Sequence, residues 1–319
     1  MLNGFGRFGI RLLNHYLKKY DNREFNLSAI NDEHLSVGKM HHLLVTDPNL
    51  NFGRIWKYEI YENTILFYNE KDSIKIPFFN LPITKLQNDF EYFFECSGRY
   101  TELKNFPTNF NYKKVFISAT SYSADQTLIY GFNESNLQNS SKFISYGSCT
   151  VNAYTSLANA LHHNFEVVES DVSVIHNVPD YILDKNSNLF QRRECTLLRM
   201  GPKLLNFLNN ENFWVNYTLA PFLGPSRIDF RFKFGKNWKL ENVFEIISAI
   251  ESKEKIRLYK VVDQDNGNFM SILSDYSAEI IRDNSRKIGN TLYLGAYFDN
   301  ENSVNRYFDL INFVIRKDK

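Results

Sequence analysis

Residues 3–9 read NGFGRFG, three glycines within seven residues. Gly4, Gly6 and Gly9 fit the spacing G-x-G-x-x-G. In a dinucleotide-binding fold the first glycine permits a tight turn. The second lets a pyrophosphate approach the backbone, and the third lets a helix pack closely on a strand. The first N–H groups of that helix then face the phosphates. The same glycines also fit a plain loop, so the neighbouring sequence has to decide. Ile10, Leu13 and Leu17 follow at i, i+3 and i+7, which predicts a helix from near Gly9 packed on a sheet. FNLSAIND (25–32) then alternates Phe25, Leu27 and Ala29 with polar residues and reads as a strand ending in Asn31 and Asp32. An acidic residue there can hydrogen-bond ribose hydroxyls and disfavour a 2′-phosphate, so Asp32 points to NAD over NADP. A solvated aspartate at a strand end is the plainer alternative. Only Met1 and Leu2 precede Asn3, so the first strand is expected to be very short or its start truncated.

Working outward, EYFFECSG (91–98), KKVFISAT (113–120) and KFISYGS (142–148) are short apolar runs ending in small or hydroxyl residues. Such runs separated by helical segments predict a parallel sheet covered on both faces. Ligands bind beyond the carboxyl ends of strands in these sheets. The second half changes character. SRIDFRFKFGK (226–236) alternates Ile228, Phe230, Phe232 and Phe234 with Asp229, Arg231 and Lys233, as a strand with one wet face does. VVESDVSVIHNV (167–178) and NTLYLGAYFD (290–299) read as companion strands, and ENVFEIISAI (241–250) as a helix. A last helix is expected with Val304, Tyr307, Phe308, Ile311 and Val314 on one face. A boundary between two domains falls near Cys149.

The composition excludes several classes of function. The 319 residues are 43% hydrophobic and 23% charged, with a formal net charge of +1. That is no electrostatic footprint for nucleic acid or an acidic membrane. No run approaches 18 apolar residues, so no membrane span is expected, and the first residues lack the pattern of a signal peptide. Three cysteines argue against a disulfide framework and point to a reducing, cytoplasmic setting. The pairs His41–His42 and His162–His163 have no partners at ligand spacing, so no metal site is expected.

YGSCTVNAY (146–154) carries the candidate chemistry. Tyr154, Leu157, Ala158 and Leu161 follow Cys149 at helical spacing. The cysteine therefore stands at a helix N-terminus, where the dipole favours a thiolate. A thiolate attacks aldehyde carbonyls. The commoner fate of a free cysteine is to be buried and inert. Cys96 and Cys195 lack this setting and read as structural. His176 closes a predicted strand soon after the Cys149 helix. A return of the chain from helix to strand can bring it beside Cys149 as ion-pair partner and general base; otherwise it is a structural strand histidine.

NGFGRFG, AINDEHL, ECSGRYT, ISATS, SCTVN, VIHNV and YFDNENSVNR occur in the order found in phosphorylating glyceraldehyde-3-phosphate dehydrogenases, and the chain resembles that family along essentially its whole length. The resemblance implies an α/β protein with a Rossmann-type NAD-binding domain, 1–148, completed by the C-terminal helix 303–319. It implies an α+β catalytic domain, 149–302, with a mixed, largely antiparallel sheet. It implies oxidation of an aldehyde, glyceraldehyde 3-phosphate, through a thiohemiacetal and a thioester on Cys149, which inorganic phosphate cleaves to an acyl phosphate. His176 would take up the proton, and with the Cys149 N–H would stabilise the oxyanion. Arg7 and Phe8 would offer N–H groups to the pyrophosphate. Ser97, Gly98 and Ser118 would line the adenosine, and Asn300 would hold the nicotinamide carboxamide. Ser148, Thr150, Gly201 and Arg227 would serve substrate and phosphate. The expected assembly is a homotetramer, without nucleic-acid or membrane partners.

Departures from the family pattern cluster at the phosphate sites. Threonines three and five places after the histidine become Pro179 and Tyr181, a Thr-Gly pair becomes Met200–Gly201, and an arginine aligns with Leu219. The segment between His176 and Met200 is shortened. A leucine cannot supply a bidentate phosphate clamp. Arg192, Arg193, Arg199, Lys203 and Arg227 could rebuild a cationic pocket, although each also reads as ordinary surface charge. Two alternatives to the family reaction follow: a dehydrogenase for another sugar aldehyde, phosphorylated or not, and a non-catalytic NAD-binding paralogue.

Overall fold

The computed structural model describes residues 1–46, 56–86, 90–107, 111–178, 183, 188–222, 224–254, 257–265, 276–298 and 300–319. The chain divides into two units. Met1–Gly147 and Val304–Lys319 form the first, and Ser148–Ser303 form the second.

In the first unit β1 (Leu2–Asn3) leads into α1 (Arg7–Lys18), β2 (Ile30–Asn31) and α2 (Val37–Thr46). A meander follows, β3 (Lys57–Tyr61), β4 (Thr64–Tyr68) and β5 (Ser73–Phe79). Then come β6 (Tyr92–Glu95), β7 (Lys114–Ile117), β8 (Gln126–Thr127) and β9 (Phe143–Ser145). These nine strands form one sheet in the order β3-β4-β5-β2-β1-β6-β7-β9-β8. β3 and β4 pair antiparallel, as do β4 and β5. Every other neighbouring pair is parallel. The chain winds outward from β1 to β2 and β5, then crosses to β6 and winds the other way. The order therefore reverses between β1 and β6, the place where doubly wound sheets bind ligands beyond their strand ends. Gly4, Asp32, Cys96 and Ser118 directly follow four of these strands.

Period-two alternation divides the core between the two faces of the sheet. Leu2, Ile30, Phe94, Phe116 and Ile144 pack with Leu13, Tyr16 and Leu17 of α1, and with Val304, Tyr307, Phe308, Ile311 and Val314 of the C-terminal helix (Asn300–Asp318). The Tyr307 hydroxyl donates to the Phe116 carbonyl at 2.7 Å. Met1, Ala29, Phe93, Val115 and Ile117 face the other way, against Ile83, Phe106 and Tyr112. Each such large apolar side chain contributes roughly 1.5–3 kcal/mol by leaving water.

Two sequence expectations need adjusting. The apolar runs separated by helical segments predict helices on both faces. Among the described residues the second face is covered instead by aromatic loop residues and single 3-10 turns, Ile83–Lys85 and Leu103–Asn105. The stretch after β6 breaks at Ser97–Gly98 and Pro107 and carries no long helical stripe. The strand read over 25–32 keeps its alternation, with Phe25, Leu27 and Ala29 buried. Its β-ladder pairing is confined to Ile30 and Asn31. β1 comprises only Leu2 and Asn3.

The second unit runs α3 (Cys149–Phe165), β10 (Val167–Asn177), β11 (Gln191–Arg192), α4 (Thr196–Leu204), β12 (Phe213–Ala220) and β13 (Ser226–Phe234). It continues with α5 (Leu240–Glu254), β14 (Tyr259–Val262), β15 (Ala278–Ile288) and β16 (Thr291–Phe298). Its seven strands are ordered β11-β12-β10-β13-β16-β15-β14. β10 and β12 are parallel, β14 and β15 are parallel, and the remaining pairs are antiparallel. The architecture is thus α/β, with a Rossmann-type unit and an α+β unit whose sheet is mixed and largely antiparallel. Ile228, Phe230, Phe232 and Phe234 alternate inward as read. Tyr154 of α3 stacks on Phe232 at 5.7 Å and 17°. The opposite face is charged, with Arg231 paired to Asp171 and Lys233 to Glu169. Among the described residues, no helix is long and apolar enough to cross a membrane.

Candidate active site

Ser148 makes the start of α3. Its backbone is extended (φ −144°, ψ 172°), and its Oγ accepts from the Val151 N–H at 3.4 Å, so it is the N-cap. Cys149 is consequently the first residue of the helix, where backbone N–H groups and the helix dipole favour negative charge. Glu166, in the left-handed region at φ 61°, ends α3 and turns the chain back along β10. The helix rises about 1.5 Å per residue over its length and the strand about 3.3 Å per residue. The end of β10 therefore returns to the level of the helix start.

His176, the penultimate residue of β10, meets Cys149 there. Sγ lies 3.4 Å from Nε2. The other ring nitrogen, Nδ1, is 2.8 Å from the Asn177 carbonyl oxygen. A carbonyl only accepts, so Nδ1 carries a proton and Nε2 turns its proton-transferring position to the sulfur. Asn177 is itself anchored. Its N–H donates to Ser226 Oγ at 3.0 Å, and its side-chain amide donates to the Gly224 carbonyl. The pair is nearly dry, Cys149 being 8% and His176 6% exposed. The rings of Tyr217 and Phe298 each lie 5.7 Å from the imidazole. Burial, followed by the charges of Cys149 and Cys195, pushes the Tyr217 phenol far up, so it stays neutral.

Beside the thiol three hydroxyls converge. Ser148 Oγ is 3.1 Å from Thr150 Oγ1 and 3.0 Å from Thr196 Oγ1. Thr150 Oγ1 is 3.4 Å from Cys195 Sγ. Thr196 opens α4, with Cys195 as the preceding cap residue. The sequence reading missed Thr196, because it placed the Thr-Gly equivalent at Met200–Gly201. Gly201 lies inside α4. A Cβ there would come within 2.8 Å of Phe213 Cε1, so this glycine serves close packing of helix on strand rather than the hydroxyl cluster.

Arg227 does not join the cluster either. It is the register partner of Ile175 across β10 and β13, so it shares that residue's face, opposite to His176. Its guanidinium pairs with Asp229 at 3.0 Å and Asp265 at 3.2 Å. Leu219, in contrast, is the register partner of His176. Arg192 donates to Asn216, Arg193 to Gln191 and Arg199 to Glu194. Pro179 and Tyr181 lie outside the described residues, as does the side chain of Asn300.

The glycine turn of the first unit has its own geometry. Gly4 has φ +91°, and a Cβ on it would sit 2.3 Å from the Ser97 nitrogen. A Cβ on Gly9 would sit 2.0 Å from the Gly4 carbonyl oxygen, whereas one on Gly6 would meet nothing within 4 Å. Two glycines thus serve close packing and the third faces open space. Gly6 is the N-cap of α1, and Arg7 and Phe8 are its first residues. Asp32 accepts the Phe5 N–H on Oδ2 at 2.7 Å, and the His34 and Leu35 N–H groups on Oδ1 at 2.9 Å each. Ser97 Oγ accepts from the Arg99 N–H at 3.1 Å, Gly98 takes φ +71°, and the Ser118 N–H donates to the Glu95 carbonyl at 2.9 Å. Among the described residues, no three His, Cys, Asp or Glu side chains form a metal-holding group.

A doubly wound sheet with a glycine turn, joined in one chain to a unit with a helix-start cysteine on a histidine, defines a class: a dinucleotide-fold protein carrying a candidate nucleophile. The comparisons with known proteins are more particular. The chain is similar to glyceraldehyde-3-phosphate dehydrogenases. It is 28% identical to that of Thermotoga maritima over 185 residues, 55% of this chain and 53% of the relative. It is 27% identical to that of Schistosoma mansoni over 185 residues, 55% and 52%. It is 31% identical to glyceraldehyde-3-phosphate dehydrogenase 2 of Drosophila melanogaster over 181 residues, 55% and 52%. The match spans about half the length of these curated relatives. No family model matches the chain.

Proposed function

We propose that the chain is an NAD-dependent, phosphorylating aldehyde dehydrogenase, a divergent member of the glyceraldehyde-3-phosphate dehydrogenase family acting on glyceraldehyde 3-phosphate. One observation carries the proposal: the 3.4 Å contact between Cys149 Sγ and His176 Nε2 at the start of α3. The named relatives support it.

The Cys149 proton passes to Nε2, leaving a thiolate beside an imidazolium. Sγ attacks the aldehyde carbon, and the Cys149 N–H and the Nε2 proton stabilise the oxyanion. That oxyanion takes up the Nε2 proton to give the thiohemiacetal. When bound, the nicotinamide cofactor supplies the hydride acceptor. Oxidation leaves a thioester on Sγ, and Nε2 holds the hydroxyl proton. Inorganic phosphate then displaces the thiolate and leaves with the acyl group. The Ser148, Thr150 and Thr196 hydroxyls give that anion donors at the helix start. The glycine turn fits the cofactor, since a side chain at Gly6 would project into open space where a pyrophosphate needs room. Ser97, Gly98 and Ser118 are assigned to the adenosine and Asn300 to the nicotinamide carboxamide. Cys96, Cys149 and Cys195 are buried thiols outside any disulfide, which supports a cytoplasmic setting. The wet sheet face of the second unit, with Ile175, Trp214 and Tyr293 exposed, supports a homo-oligomer, a tetramer by resemblance.

The deciding assay follows NADH formation with glyceraldehyde 3-phosphate, with and without inorganic phosphate. No NADH from this or any aldehyde in a panel removes the reading. Leu219 beside His176, with Arg227 on the other face, favours a second outcome, in which an unphosphorylated aldehyde is the better substrate.

Two further results are expected. Iodoacetamide should label Cys149 readily at pH 6. In His176→Gln that rate should fall at least about tenfold and recover towards the ordinary thiol pKa of about 8.5. Equal rates in both proteins would mean that the imidazole does not hold the thiolate. Asp32→Ala should lose about 1–2 kcal/mol of stability, because three backbone N–H groups lose their acceptor. It should also bring NAD and NADP affinities together. An unchanged preference between the two cofactors would exclude the ribose contact.

A further inference from the structure

Glu95 ends β6 at the reversal point of the first sheet and is only 1% exposed. Its surroundings set the direction of its bonds with the Asn3 amide and the Ser97 backbone. The Leu81 N–H donates to Asn31 Oδ1, and Asn31 Nδ2 donates to the Leu81 carbonyl, both at 3.1 Å. The Asn31 amide cannot turn over without breaking both bonds. Asn31 Nδ2 also donates to Asn3 Oδ1 at 2.7 Å, which turns Asn3 Nδ2 towards Glu95 Oε2 at 2.6 Å. The Ser97 N–H donates to Oε1 at 2.8 Å, and Ser97 Oγ bonds the same oxygen. Donation thus runs from Leu81 through Asn31 and Asn3 to one Glu95 oxygen and from Ser97 to the other, so the two arms converge on the carboxylate and ask for an acceptor at both oxygens. Only ionised Glu95 meets that demand in full. Ser97 in turn is the residue whose backbone nitrogen lies under Gly4.

We infer that Glu95 is a positioning residue whose ionisation sets the Ser97–Gly98 turn and, through it, the affinity of the glycine turn for a dinucleotide. The inference rests on the NAD-binding reading above. Burial pushes the Glu95 carboxyl up to about 7, against the lowering effect of its Ser97 and Asn3 bonds. The groups sensing its charge are the Cys96 thiol, the Tyr307 phenol and the Tyr100 phenol, each raised chiefly by burial. All three are neutral near pH 7, which leaves Glu95 as the member of this cluster that titrates there. Nearby charges are otherwise engaged: Arg99 bonds His34, and Glu33 accepts from Tyr100 at 3.2 Å.

The sign follows from linkage. The folded pKa is raised, so folding binds the proton more tightly, and this group's contribution to stability is lost as pH rises from about 4.5 to about 7. Ligand affinity runs the other way. A protonated Glu95 must either donate against the Asn3 Nδ2 donor or donate into Ser97 Oγ, which turns the Ser97 hydroxyl away and weakens the Ser97 N–H bond to the same oxygen, and either change loosens the turn. Binding that needs the ordered turn weakens as the pH falls below 7, and by reciprocity bound dinucleotide lowers the Glu95 pKa.

The test is NAD binding by calorimetry from pH 5.5 to 8.5, with unfolding midpoints measured alongside. The parent protein should bind about fivefold more tightly at pH 8 than at pH 6. Glu95→Gln, whose amide nitrogen must face Asn3 Nδ2 or the Ser97 N–H, should bind more weakly at pH 8 with a flat profile. Should that variant fail to fold, Ser97→Ala decides: it removes one donor from Oε1 and should move the midpoint of the profile to higher pH. A flat profile in the parent, the opposite slope, or a parent-like profile in both variants overturns the inference and leaves NAD binding standing. No NAD binding at any pH overturns the nucleotide reading and this inference with it.

Discussion

Cys149→Ser is expected to abolish NADH formation from every aldehyde, with a fall of about 10⁴-fold or more, as loss of a covalent nucleophile gives elsewhere. The change swaps sulfur for oxygen in a nearly dry site. A serine hydroxyl is far too weak an acid to ionise against an imidazole alone, so neither the helix start nor His176 rescues it. The fold has little reason to object. Ser148 still caps α3, Thr150 still reaches Cys195, and the new hydroxyl faces His176 Nε2 where the thiol did. The unfolding midpoint should stay within about 2 °C of the parent, and NAD affinity should be unchanged. Separate measurements of turnover, NAD binding and melting make the outcome specific. Turnover within tenfold of the parent would mean that the sulfur is not the nucleophile. A collapse of all three would mean only that the site holds the fold together.

Gly9→Ala should produce the largest loss of stability, about 3–5 kcal/mol in urea unfolding. The added methyl would lie 2.0 Å from the Gly4 carbonyl oxygen and 3.1 Å from its carbon, both backbone atoms that cannot swing aside. α1 would have to withdraw by more than 1 Å. It would take Ile10, Leu13 and Leu17 out of the core they share with Leu2 and Ile30. NAD binding should be lost with it. Gly6→Ala is the internal comparison, because its backbone is extended and its Cβ meets nothing. That variant should keep its stability to within about 1 kcal/mol and weaken only the dinucleotide. If both variants melt together, the three glycines do not divide their work as the geometry states.

The features that could be read from the chain were those with local causes. Ile10, Leu13 and Leu17 mark α1 because a helix repeats every 3.6 residues. Ile228 to Phe234 mark β13 because a strand repeats every two. Cys149 could be placed at a helix start because Tyr154, Leu157 and Leu161 follow at the right intervals. What escaped depends on register and distance. Nothing near Arg227 says which side of the sheet it takes; that follows from its pairing with Ile175, 52 places earlier in the numbering. Thr196 meets Ser148 across 48 positions, and only the placement of α4 brings them together. Glu95 reads as an ordinary polar strand end until β1 and β2 close over it with Asn3 and Asn31. The edge strands β3, β4 and β5 alternate too weakly to stand out from the loops around them, and the two-residue β11 carries too little pattern to detect.

The stretch from Val304 supplies Tyr307, Phe308, Ile311 and Val314 to the interior of a unit whose other residues, Met1–Gly147, are synthesised well before it. At about 5–20 residues per second, roughly 10–30 s of synthesis separate the two parts. Throughout that interval Leu2, Phe94 and Phe116 present an oily surface without its cover. A chain truncated before Val304 is therefore expected to aggregate, because that apolar surface stays in water.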